Sequence, residues 1–334
     1  MRFGGLAVGA TVWTLASWLL FAGCGARTNL EPFEAELRDA GRDSGDASDA
    51  SPDVEAGPDS PFDATPDVGP DAPPDAPPDA SPDVDVPPGC DAGDDSIVLL
   101  GETGQLHRFD PETVTTSLVG QLNCATDNFN SMTVSRTGKL YLSSGIGELF
   151  IADADTLACE KTPFDASQVN YIRYGMGFTA DDVPAGETLF IAPRTTFEEV
   201  DRLARIDLDD YELHVVGYFA TPLPAAEVKG TSDGRLYLVH MATDTDAARL
   251  VEVNKETAVL GESIELPISV DYRAFDFVYW DGAFYVFVTE WDDDQATVIR
   301  YTPALGPPGL GLLEVLGTIP VVAVGAGVST CAPL

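Results

Sequence analysis

The feature that most limits what this chain can fold into is a spacing of 48 residues. Glycine recurs at Gly138, Gly186, Gly234 and Gly282, each time just before a short run such as Leu-Tyr-Leu or Phe-Tyr-Val. Glycine supplies the positive φ that a tight hairpin demands, and Asp233-Gly234 and Asp281-Gly282 are strong hairpin dipeptides. A second motif keeps step with the first. Residues 105–113 return as 148–156, 202–210, 249–257 and 297–305, and their sixth position reads Asp110, Asp153, Asp207, Asn254 and Thr302. Apolar and polar residues alternate up to that turn-former, as in a half-buried strand entering a hairpin. No amphipathic helix interrupts the series. Strands repeating at this period belong to a β-propeller.

Aligning the two marks gives four strands per unit and five units. The innermost strand is expected near 131–137, 174–179, 227–232, 274–280 and, last, 321–330. The chain enters the repeat at Ile97 with a second strand, so one blade must draw on both ends of the chain. The expected fold is therefore all-β: a five-bladed propeller of four-stranded antiparallel blades over residues 96–334, closed into a ring by the C-terminal strand. Closure removes the open sheet edges that invite unwanted pairing. The aromatics Phe275, Phe277, Tyr279, Trp280, Phe284, Tyr285 and Phe287 are core by their alternation.

The first 23 residues read as an export signal: Arg2, then an uncharged apolar stretch, then small residues before Cys24. Leu20 to Cys24 resembles the lipobox of bacterial lipoproteins, which implies lipid attachment at Cys24. Residues 24–95 are expected to be a disordered stalk. They are rich in Pro, Ala and Asp, with Asp59, Asp63, Asp67, Asp71, Asp75, Asp79 and Asp83 at every fourth position. Such a composition buries too little to offset its ordering entropy, and prolines such as Pro73-Pro74 exclude a helix. The net charge of −37 excludes a nucleic-acid partner, whose phosphates select basic surfaces.

Four further cysteines, Cys90, Cys124, Cys159 and Cys331, suit disulfides in an oxidising compartment, and four allow three pairings. Cys331 ends the last inner strand and Cys90 precedes the first second strand, so a bond between them would staple the ring. Cys124 and Cys159 then pair by elimination, although idealised strand directions put them nearer opposite faces. The chain also resembles a group of myxobacterial lipoproteins that carry a Cys-Gly-x-Arg-Thr start, an acidic Asp/Pro stalk and repeats ending in Gly-Ala-Gly-x-Ser-Thr. Residues Cys24 to Thr28 and Gly325 to Thr330 carry that match. The resemblance implies an envelope location, at the outer membrane, and a propeller. It implies no activity.

Chemistry is less legible. His107, His214 and His240 fall in strands of different blades without metal-ligand spacing, and no phosphate loop or nucleophile elbow occurs, so no metal or cofactor is expected. Recognition concentrates on loops held by a rigid scaffold. The loops entering the inner strands carry Asn128, Asn130, Tyr171, Arg173, Tyr174, Glu227, Tyr272, Arg273 and Asp276, which form a candidate rim for a protein or carbohydrate ligand. Asp127, Glu227 and Asp276 near the same strand starts raise an alternative, a glycoside hydrolase or lyase, because two carboxylates about 5 to 9 Å apart can act as acid and base. Convergent carboxylates in a deep central pocket would mark the enzyme, and a shallow rim or a plugged tunnel would mark a monomeric binding or scaffolding module.

Overall fold

The computed structural model describes Cys90 and residues 96–334, apart from residues 171, 184–185, 194–199, 242–246, 270–271 and 305–310. The signal segment, Cys24 and the stalk up to residue 89 lie outside the described residues, as does Tyr171.

Twenty strands, numbered β1 to β20 in chain order, form five four-stranded antiparallel sheets. The first blade is ordered β20 (Ala323–Gly327), β1 (Ile97–Gly101), β2 (Gln105–Asp110) and β3 (Thr115–Gln121), so both ends of the described chain build it. Leu99 faces Ala326 and Leu100 faces Gly325 across that closing pair. The other blades begin with the inner strands β4 (Phe129–Val134), β8 (Tyr174–Ala180), β12 (Ala226–Gly230) and β16 (Tyr272–Trp280) and run outward in chain order. Each inner strand lies against those of the two adjoining blades. The five-bladed ring is as the repeat predicts.

The core has the same symmetry. Five clusters of buried apolar side chains each fill the space between two neighbouring blades. A blade covered on both faces reads as a nearly continuous apolar run rather than an alternation, and seven of the eight residues of β17 (Ala283–Glu290) are buried. The blade 4 and blade 5 cluster gathers Phe275, Phe277, Phe284 and Tyr301, with Tyr279 packed against it. At the axis the inner strands touch backbone to backbone. A Cβ on Gly175 would lie 2.5 Å from Ala226 O, and one on Gly177 or Gly230 would meet the neighbouring strand's backbone even sooner.

The second sequence motif is a turn. Asp153 Oδ1 accepts from the backbone N–H of Asp155 and Thr156, and Asn254 Oδ1 accepts from Glu256 and Thr257. The fifth residue of the turn then adopts the left-handed conformation: Val114, Leu157, Tyr211 and Ala258 have φ between 53° and 61°. Its N–H bonds back to the first residue, at 2.8 Å from Leu157 to Asp153 and from Ala258 to Asn254. These side chains wedge against the outer strand of the preceding blade, where Gly120 leaves room for Leu157 and Gly217 for Ala258.

That wedge explains the second disulfide. Cys124 and Cys159 are bonded, with Cα atoms 4.7 Å apart, although idealised directions separate them. A blade twists as it runs outward, and the twist swings the end of β3 across to the turn before β7 (Cys159–Lys161), where Asn123 bridges Ala158. Cys90 and Cys331 are bonded as expected. One hairpin departs from expectation. Gly138, Gly234 and Gly282 have positive φ and Gly186 does not, because the connection from β8 to β9 (Glu187–Pro193) is longer and Gly186 sits in a turn closed by its own bond to Val183 O.

Candidate functional site

Every inner strand starts at one face of the ring and ends at the other. The lower face, where they end, is covered by the C-terminal segment. Thr330 Oγ1 donates to Glu187 Oε2 (3.0 Å), Cys331 Sγ lies 3.6 Å from Arg136 O, and Asp281 N–H donates to Pro333 O (3.2 Å). Glu187 also accepts from the Arg136 N–H with both oxygens at 2.9 Å, and burial lifts its carboxyl above the usual range. Cys90 is tied to Cys331 at this face.

Midway along the axis the ring is closed by a buried ion pair. Lys229 Nζ of blade 4 lies 2.9 Å from Asp276 Oδ1 of blade 5, and the two residues are 4% and 0% exposed. The same ammonium donates to Met132 O (2.8 Å) of blade 2 and Met176 O (3.0 Å) of blade 3. Asp276 Oδ2 accepts from the Ala326 N–H (2.7 Å) of blade 1, and Oδ1 accepts from Phe277 N–H (2.7 Å). All five blades thus meet on one pair. Burial pushes the Asp276 carboxyl up to about 6, against the pull of Lys229.

Above this hub a small cavity opens at the upper face. Its volume is about 70 Å³, and its wall takes residues from every blade: Val324, Phe129 and Asn130, Arg173, Glu227, and Tyr272 to Phe275. Asn130, Arg173, Glu227, Tyr272 and Arg273 of the candidate rim therefore converge. Asn130 Nδ2 donates to Tyr174 O (2.9 Å). Glu227 is 6% exposed and accepts from Ser131 Oγ (2.8 Å). The Arg273 guanidinium is clamped by Glu102 and by Asp293 O, which belongs to the exposed tip 292–294 between β17 and β18 (Ala296–Pro303). Tyr272 stands edge-on to Phe275 at 4.9 Å. Arg173 is exposed.

Three rim expectations are corrected. Tyr174 is 1% exposed and packs edge-on to Phe164 between blades 2 and 3. As the first residue of a strand it turns its ring into the interblade core, where burial raises its hydroxyl far above the usual range. Asp276 belongs to the hub, because it lies five residues into β16 and so below the mouth. Asn128 is exposed and packs against Gly145 outside the cavity lining. Sequence reasoning missed Lys229 and Glu102; Lys229 carried a weak signal, since it shares the otherwise small and apolar inner strand β12 with one other charge, Glu227.

The arrangement bears directly on acid–base chemistry. Asp276 has its oxygens occupied by Lys229 and two backbone N–H groups, Asp127 is exposed on a loop, and Glu227 is the one carboxylate lining the cavity among the described residues. Among the described residues, the pair needed for glycoside hydrolysis is not assembled there. Of the histidines, His107 is half-buried, His240 is buried with Nδ1 2.9 Å from Met241 O, and His214 is exposed beside Asp207 and Asp210, with ligand atoms within 4.8 Å of one another.

No family model matches the sequence, and no curated protein matches it. Among solved structures the chain is similar to Kuenenia stuttgartiensis hydrazine synthase, at 13% identity and a TM-score of 0.39 over 73% of this chain and 70% of that one. It is also similar to the Dos1 propeller, at 11% identity and a TM-score of 0.37, covering 66% of this chain and 56% of that one. The chain thus spans little more than half the length of the second.

Proposed function

We propose that this protein is an envelope lipoprotein, held by lipid on Cys24, whose propeller presents its mouth as a binding surface. One observation carries the reading: residues from all five blades converge on a cavity whose floor is a sealed ion-pair hub. A rigid ring with a shallow, polar and aromatic concavity suits recognition, and Tyr and Arg at such a position are the residue types that dominate binding energy. Among the described residues one carboxylate lines the cavity, which disfavours the hydrolase reading.

The test uses the full chain in detergent, retained on immobilised envelope polysaccharide. Tyr272→Ala is expected to lower retention about tenfold, while Lys139→Ala, at an exposed pair on a lower-face hairpin, leaves it unchanged. Equal retention of both variants would remove the mouth as the binding surface. Metabolic labelling with a palmitate analogue checks the anchor: Cys24→Ala should lose label and membrane retention, and persistent labelling would contradict it.

A further inference from the structure

The blades repeat one turn, from the third strand to the fourth, and blade 3 departs from the pattern of the others. In blades 1, 2 and 4 the fourth residue of the turn is Thr113, Thr156 or Thr257, and its N–H donates to the side chain of the first residue. In blade 3 that place is taken by Asp210, so a second carboxylate stands beside Asp207. Asp210 Oδ1 instead accepts from the Glu212 N–H (2.9 Å). Four residues on, at the place of Ser117 in blade 1, β11 (Leu213–Leu223) carries His214. One nitrogen of its imidazole and one oxygen of each carboxylate lie within 4.8 Å of one another.

These three exposed groups have coordinating atoms to spare. Asp207 Oδ1 accepts from the Asp209 N–H (2.9 Å), which leaves Oδ2 of both carboxylates and both nitrogens of His214 without a partner among the described residues. Asp153, the first residue of the blade 2 turn, is by contrast paired with Lys139 at 2.6 Å. The turn is also held from blade 2. Gln168 Nε2 donates to Tyr211 O (3.1 Å) and Gln168 Oε1 accepts from the Leu213 N–H (2.9 Å), so the backbone between Asp210 and His214 is clamped on both sides. Hydrogen bonds behind a ligand are what orient it toward a metal. Arg205 stands opposite His214 across the ladder, but Asp207, Asp209, Asp210 and Glu212 outnumber it, and the turn stays negative. Asp207 further lines an open concavity of about 260 Å³ with Thr188 and Arg205, which gives solvent access to an ion bound there.

We infer that Asp207, Asp210 and His214 form a site for a divalent ion of the zinc class, with water in the fourth position. The donor set selects the ion. Imidazole nitrogen with carboxylate oxygen suits Zn²⁺, whose bonds of about 2.0 to 2.2 Å hold tetrahedral ligand atoms roughly 3.3 to 3.6 Å apart, so a movement of about 1 Å in these exposed side chains closes the shell. Ca²⁺ and Mg²⁺ prefer oxygen alone, and more of it. The site lies at the face opposite the mouth, where the third strand of each blade ends, and is independent of what the mouth binds.

Isothermal titration calorimetry of the full chain in detergent, first cleared of metal with a chelator, tests the site with Zn²⁺, Ca²⁺ and Mg²⁺ as probes. A saturable Zn²⁺ site is expected, with Ca²⁺ and Mg²⁺ at least about tenfold weaker. Asp210→Thr and His214→Ser bring into blade 3 the residues that blade 1 carries as Thr113 and Ser117, and so keep the turn. Each should weaken Zn²⁺ at least about tenfold with the metal-free melting temperature unchanged, and added Zn²⁺ should raise that temperature more in the wild type than in either variant. In the wild type, Zn²⁺ should shift the ring resonances of His214 in NMR and leave those of His107 and His240 in place. A His214 ring that does not respond overturns the inference, however the variants fold. Equal Zn²⁺ binding by the wild type and both variants places the ion elsewhere on the chain and overturns it too, as does the absence of a saturable Zn²⁺ site. Ca²⁺ bound as tightly as Zn²⁺, with no effect of His214→Ser, overturns it in favour of carboxylates alone.

Discussion

At the scale of single residues, Lys229 and Asp276 do more than neutralise each other. Removing one partner of a buried pair commonly costs about 3 to 5 kcal/mol, whereas replacing both with apolar groups of similar size is often neutral. Here the second outcome is not expected, since the Ala326 N–H and the carbonyls of Met132 and Met176 would lose their partners. Lys229→Met should destabilise by about 3 to 5 kcal/mol, and adding Asp276→Leu should recover little of it in urea unfolding. Full recovery would reduce the hub to an ordinary ion pair. The pH dependence has a definite sign. Because burial raises the Asp276 carboxyl from 3.8 to about 6, the folded ring holds this proton more tightly than the unfolded chain does. That contribution is complete below about pH 4 and is lost as pH rises through about 6. Between pH 7 and pH 5 the wild type should therefore gain melting temperature relative to Asp276→Asn. Neither role is legible beforehand: the sequence marks Asp276 as a charge near a strand start, and only the closed ring sets it opposite a lysine 47 residues away.

Elements repeat more faithfully than residues do. The motif ending in Asp110, Asp153, Asp207 or Asn254 reads as a strand followed by a turn-former, and each makes the side-chain-to-backbone bonds of that turn. What the sequence hides is the next step, in which a non-glycine residue enters the left-handed region so that its side chain can fill the gap beside the preceding blade. Packing overrides a local preference there. Asn254→Ala removes two accepted bonds and should cost about 1 to 2 kcal/mol, read as a shift in the urea midpoint with an unchanged slope. An unchanged midpoint would mean that the wedge of Ala258 holds the turn alone. The same contrast governs the candidate rim. Asn130, Arg173, Glu227, Tyr272 and Arg273 line one cavity from positions at or beside strand starts, while Tyr174 turns into the core, since successive strand residues face opposite sides.

For the whole molecule, closure of the ring organises everything else. It brings the two ends of the propeller chain to one face, covers the lower end of the axis with the C-terminal segment, and leaves the mouth at the other face. The bond between Cys90 and Cys331 spans 241 residues of sequence, and in the chain-entropy account a crosslink over so long a loop contributes about 5 kcal/mol. Strand pairing and interblade packing remain without it, so Cys331→Ser should keep the fold and melt at a lower temperature. Removing β20 is different in kind, because blade 1 loses its inner strand and Asp276 loses the Ala326 N–H. Calorimetry on a chain ending at Pro320, beside the full chain, tests closure most directly. The ring predicts loss of the cooperative transition and aggregation through the exposed edge of β1. A monomer that melts as the full chain does would contradict it.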